Sequence, residues 1–140
     1  MSRTYFSDRD LGKQFPSILA DSGIAVERHK DFFAQDGSDE QWLEYCGKNA
    51  RIGLTHNVRI RYVANELAAV RRFKVGLVVL MGHATTAGLA RNFVRTVPRL
   101  EALLDTLTPP YIVEVYRPTP ADILKDPSVP GRAELWFPRR

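Results

Sequence analysis

The sequence predicts an α/β fold, a single domain with a mostly parallel sheet of about five strands flanked by helices on both faces. Two observations predict it. Short apolar runs such as RIGLT and VGLVVLM alternate with stretches of helical periodicity, and parallel neighbours need the crossover connections that such helices supply. At 140 residues and 44% hydrophobic, the chain can bury one core and is too short for two ordinary domains.

TYFSD reads as the first strand, residues 13–21 as a helix ended by Ser22-Gly23, and IAVERH as the second strand. A helix over residues 39–49 places Trp42, Tyr45 and Cys46 on one face. RIGLT is a buried third strand, residues 63–72 form a helix with Val63, Leu67 and Val70 aligned, and VGLVVLM is the clearest strand. A helical stretch over residues 86–107, broken near Pro98, leads to the last strand, YIVEVY. The domain proper thus spans residues 1–116. Residues 117–140 carry Pro118, Pro120, Pro127, Pro130 and Pro138, so they are expected to run extended, packed on or leading away from the domain, with at most a turn of helix near residues 121–124.

No stretch approaches the roughly 18 apolar residues a membrane span needs, and MSRTYFSDRD lacks the apolar core of a signal peptide. The expected location is the cytoplasm. The single cysteine, Cys46, rules out an internal disulfide and a multi-cysteine zinc site, and its apolar neighbours mark it as a buried hydrophobe. The formal charge is +4, with the excess in Arg59, Arg61, Arg71, Arg72, Lys74, Arg91, Arg95, Arg99, Arg139 and Arg140. That excess suits either a polyanionic partner or ordinary solvated helix faces.

In an open α/β sheet, sites form beyond the carboxyl ends of the strands. Asp8 follows the first strand at once, and it is either a metal ligand or general base, or a cap or partner for Arg9. Asp10 is better placed for capping or for pairing with Lys13. Asp39 opens a helix, where a carboxylate can cap and also face a bound cation. Thr55 closes the third strand and either orients a water or phosphate oxygen or satisfies a turn. His29, His56 and His83 lack zinc-site spacing, and there is no phosphate-binding glycine loop, dinucleotide fingerprint or Gly-x-Ser-x-Gly elbow.

YFSDRDLG, SDEQWLEYCG and RIGLTHNVRIRYVANELAAV, in that order over the first hundred residues or so, resemble the PIN-like nucleases related to VapC-type toxins. That resemblance implies an endoribonuclease of a type II toxin–antitoxin system, with clustered carboxylates that hold Mg²⁺ or Mn²⁺ and a cognate antitoxin covering the site. Carried over by position, Asp8 and Asp39 are the catalytic and metal-binding acids. The third position departs, because Asn57 stands where the group has Asp; its carbonyl can coordinate but brings no charge. Asn57 is compatible with a natural variant whose acid is reshuffled, with a non-cutting domain that binds RNA or a protein, or with a substitution that silences a toxic enzyme. Thr55, Arg59, Arg61, Arg91 and Arg95 are the expected RNA-binding residues, and Tyr62 is either a base-stacking or a core residue. A homodimer is left open by the sequence.

Overall fold

The computed structural model describes residues 3–139. Arg140, counted above among the basic residues, lies outside them. The strands are β1 (Tyr5–Ser7), β2 (Val26–Arg28), β3 (Ile52–Thr55), β4 (Gly76–Leu80), β5 (Tyr111–Tyr116) and β6 (Arg132–Phe137). The helices are α1 (Gln14–Asp21), α2 (Asp39–Asn49), α3 (Ala64–Arg72), α4 (Thr86–Leu104) and α5 (Pro120–Lys125). The six strands form one sheet in the order β2-β1-β3-β4-β5-β6. Every pair is parallel except β5 and β6.

Period-two alternation along the strands divides the core into two layers. On one face Tyr5, Leu54, Val78, Leu80, Val113 and Val115 pack against Phe15 and Leu19 of α1 and Phe93 and Leu100 of α4. On the other, Phe6, Leu77, Val79 and Ile112 meet Trp42 and Cys46 of α2 and Ala69 and Val70 of α3. Cys46 is fully buried, and burial pushes its thiol far above its ordinary range. Among the described residues, no helix is long and apolar enough to cross a membrane.

Two expectations need correction. α4 runs unbroken through Pro98. A proline removes one N–H from the helical ladder, but Phe93, Thr96, Leu100 and Leu104 are buried on both sides of it and hold the helix as one piece. The tail is also more than an appendage. α5 begins with a capping box in which Thr119 and Asp122 satisfy each other's backbone N–H groups, and β6 then returns as an antiparallel sixth strand. Its prolines lie outside the paired segment, where a missing donor costs nothing.

β6 also braces the loop after β3. Arg61, in the 3₁₀ turn Val58–Arg61, pairs with Glu114 of β5, and both side chains are 8% exposed. The Glu114 carboxylate also accepts from the Tyr116 hydroxyl at 2.8 Å, and the Arg61 guanidinium sits 5.4 Å from the Trp136 ring of β6. Removing one partner of such a buried pair leaves a bare charge in the interior. Glu114→Leu is therefore expected to lower the unfolding free energy in urea by about 3–5 kcal/mol, and the double change Arg61→Leu/Glu114→Leu to recover most of it. A single variant with near wild-type stability contradicts this description of the pair.

Candidate active site

β1 lies between β2 and β3, so the chain leaves β1 toward one edge and afterwards builds toward the other. This is the topological switch point at which α/β sheets open a crevice beyond their carboxyl ends. Asp8, the residue just after β1, and Thr55, the last residue of β3, meet there. The Asp8 backbone N–H donates to the Leu54 carbonyl at 2.9 Å, which fixes Asp8 against β3 although its strand has ended.

Asp8 is 7% exposed. One of its oxygens accepts the Arg9 N–H at 2.7 Å and so caps the 3₁₀ turn Arg9–Leu11. The other lies 2.8 Å from the Thr55 hydroxyl. Asp8 is thus a cap, and its second oxygen faces Thr55 at the end of β3. Thr55 is fully buried, so it reaches no RNA directly. Its hydroxyl is 3.3 Å from an Asp10 oxygen and accepts the Asn57 N–H at 3.0 Å, which makes it the clamp between the two aspartates.

Asp10 reaches toward the end of β3 instead of pairing with Lys13, and its carboxylate accepts the His56 N–H at 3.1 Å. Asp39 does not cap its own helix, since Ser38 occupies the N-cap position; one Asp39 oxygen accepts the Trp42 indole N–H at 2.9 Å. Trp42 is fully buried, and Gly53 of β3 makes its position available, because a Cβ there would fall 2.8 Å from the ring. The indole is thereby locked and the carboxylate with it.

Asn57 does something other than expected. Its side-chain oxygen accepts the Arg59 N–H at 3.2 Å and caps the 3₁₀ turn, so that lone pair is spent on the loop. A further acid near this edge is Glu66, in the first turn of α3. Sequence reasoning passed over Glu66 because an acid in a first helical turn is ordinary dipole chemistry. The usable signal was its place: α3 leads away from the same sheet edge as α2, whose first-turn acid is Asp39. Of the expected RNA contacts, Arg59, Arg91 and Arg95 are exposed, whereas Arg61 is buried and neutralised by Glu114.

The acids act on one another. Burial, followed by the charge of Asp8, pushes Asp10 up to about 7. Burial, followed by a hydrogen bond with Asp39 and its charge, pushes Glu66 up to about 8. Asp8 is raised by burial against the pull of the Thr55 hydroxyl, with Asp39 adding repulsion. One Glu66 oxygen is shut off from solvent with no donor, which a proton or a cation would satisfy. His29, buried beside Phe6 and Phe33, is pushed down by burial despite the Asp8 charge.

Among the described residues, no three acidic, histidine or cysteine groups close on a point that could hold a bare metal ion. The donors come instead as two pairs, Asp8 with Asp10 and Asp39 with Glu66. All are hard carboxylate oxygens, and Mg²⁺ keeps several waters while binding through one or two carboxylates. The residues therefore fit a hydrated hard cation.

Without metal, the raised carboxyls keep protons in the folded chain at pH values where the unfolded chain has lost them. Folded protein then binds more protons than unfolded between about pH 4 and pH 8, so their contribution to stability is complete below that window and is lost on passing up through it. Asp10→Asn removes one such group while keeping an acceptor for the His56 N–H. Its melting temperature relative to wild type, in chelator, is expected to improve steadily from pH 5 to pH 8. A constant difference across that range contradicts the shift.

Residues 4–82 match the family described as PIN like domain, over more than half of the chain. No curated protein and no solved structure matches it. The matched segment contains β1, β2, β3 and β4 and the acids Asp8, Asp10, Asp39 and Glu66. With its α/β architecture and its acidic switch point, the chain belongs to the PIN-like domain family.

Proposed function

We propose that this protein is a Mg²⁺- or Mn²⁺-dependent endoribonuclease, the toxin of a type II toxin–antitoxin pair, acting in the cytoplasm and held in check by a cognate antitoxin over the acidic crevice. PIN-like domains are commonly nucleases, and one observation carries the reading for this chain: Asp8 and Asp10 meet on the Thr55 hydroxyl at the switch point, with the charge of Asp39 bearing on both Asp8 and Glu66. Keeping like charges together in a partly buried site is costly unless a proton or cation joins them.

A bound divalent cation supplies phosphate neutralisation and a water of lowered pKa. The chain's own residues do the rest. Asp8, fixed by Thr55 and the Arg9 N–H, and Asp39, fixed by Trp42, are the rigid anchors. Asp10, poised at about 7, suits the acceptance of a proton from an attacking water near neutral pH. Exposed Arg59, Arg91 and Arg95 offer salt-dependent contacts to the phosphate backbone. The other reading, a metal-free binding module, drew its motive from Asn57. Glu66 and Asp10 are carboxyl groups that would ionise against a bound cation, a charge Asn57 cannot supply, which favours the catalytic reading.

Purified protein is expected to cleave a structured RNA with Mn²⁺ and not in chelator. Asp8→Asn and Asp39→Asn should each slow that cleavage by about 100-fold or more, the scale of losing a group that acts in the transition state. If neither wild type nor Asn57→Asp cleaves with any divalent ion, the enzyme reading fails and the binding module replaces it.

A further inference from the structure

Tyr62 is 68% exposed although it is a large aromatic in a rigid place. It closes the 3₁₀ turn after β3, and its N–H donates to the Arg59 carbonyl at 2.8 Å. The Arg61 guanidinium lies over its ring, 4.9 Å from the centroid. The Trp136 ring meets it edge-on, with centroids 5.6 Å apart at 89°. Arg61 is itself locked by Glu114. Tyr62 is therefore held by a buried cation over its ring and by the perpendicular Trp136 ring, and most of the residue stays open to solvent.

We propose that Tyr62 is a stacking platform for an unpaired nucleobase of the RNA bound at the acidic site; this rests on the ribonuclease reading. Stacking on a ring that is already held costs little ordering entropy. An exposed aromatic ring suits a planar ligand, and unpaired bases are the planar groups that RNA-binding proteins stack on aromatic side chains. The position agrees. Tyr62 stands four residues before Glu66, a span of at most about 14 Å of chain, so a base held there lies within a few nucleotides of a phosphate at the acids. Arg59, exposed in the same turn, offers that phosphate backbone a counter-charge.

The test is binding of a short single-stranded RNA in chelator, where no cleavage occurs, to wild type, Tyr62→Phe, Tyr62→Leu and Tyr62→Ala, with an RNA hairpin for comparison. Tyr62→Phe should keep the affinity. Tyr62→Leu and Tyr62→Ala should weaken single-strand binding by about 5- to 150-fold, the worth of one stacked base, with little change for the hairpin stem. An oligonucleotide with one abasic position should reproduce the loss in wild type and add nothing to it in Tyr62→Ala. Equal affinity across all four proteins overturns the platform, and if cleavage persists the nuclease reading survives it. A Tyr62→Ala effect on self-association in sedimentation, with RNA binding unchanged, also overturns it and assigns Tyr62 to a protein interface.

Discussion

Burial and neighbouring acid charge press on the carboxyls of Asp8, Asp10 and Glu66, and much of the surrounding structure can be understood as the means of holding them in place. Asp8 and Asp10 share the Thr55 hydroxyl, and Asp39 leans on the Trp42 indole. Each bond lowers the cost of a charge that burial raises. The result is a site whose acids are placed before any ligand arrives, the condition under which fixed charges contribute most to phosphoryl chemistry.

The scaffold around that edge is correspondingly stiff. The loop leaving β3 must present Glu66 on α3 while keeping Asn57 and Tyr62 in place. It is fastened at its base by the Arg61–Glu114 pair and from the side by Trp136 of β6. The C-terminal strand therefore stabilises the site indirectly, from the far end of the sheet order. A buried ion pair brings modest net stability; here its consequence is position, since it fixes the only segment that joins β3 to the acid on α3.

Much of this was legible in the sequence, and the exceptions have physical causes. The alternation of strands and helices and the buried faces followed from periodicity, because a residue's partners along a strand or helix are set by local geometry. Asp8 and Asp39 were legible because they sit where strands end and helices begin. Glu66 and the reach of Asp10 toward the end of β3 were not, since both depend on which elements become neighbours across the sheet. β6 was hidden by prolines that lie just outside it. Pro98 misled in the opposite sense, because local helix breaking was outweighed by the buried face of α4. Arg61 illustrates the limit most sharply: sequence counts it as surface charge, and only the position of Glu114 on β5 makes it an interior residue.

The central claim is that these acids form one electrostatic unit that a hard divalent cation relieves. Melting curves for wild type, Asp8→Asn and Asp39→Asn across a Mg²⁺ series at neutral pH test it most directly. The account predicts that wild type gains stability continuously with Mg²⁺, as mass action requires of a ligand of the native state. Asp8→Asn should melt at or above the wild-type temperature in chelator and respond little to Mg²⁺. If both variants instead lose stability in chelator and still respond to Mg²⁺ as wild type does, the carboxylates are structural caps and the account is wrong.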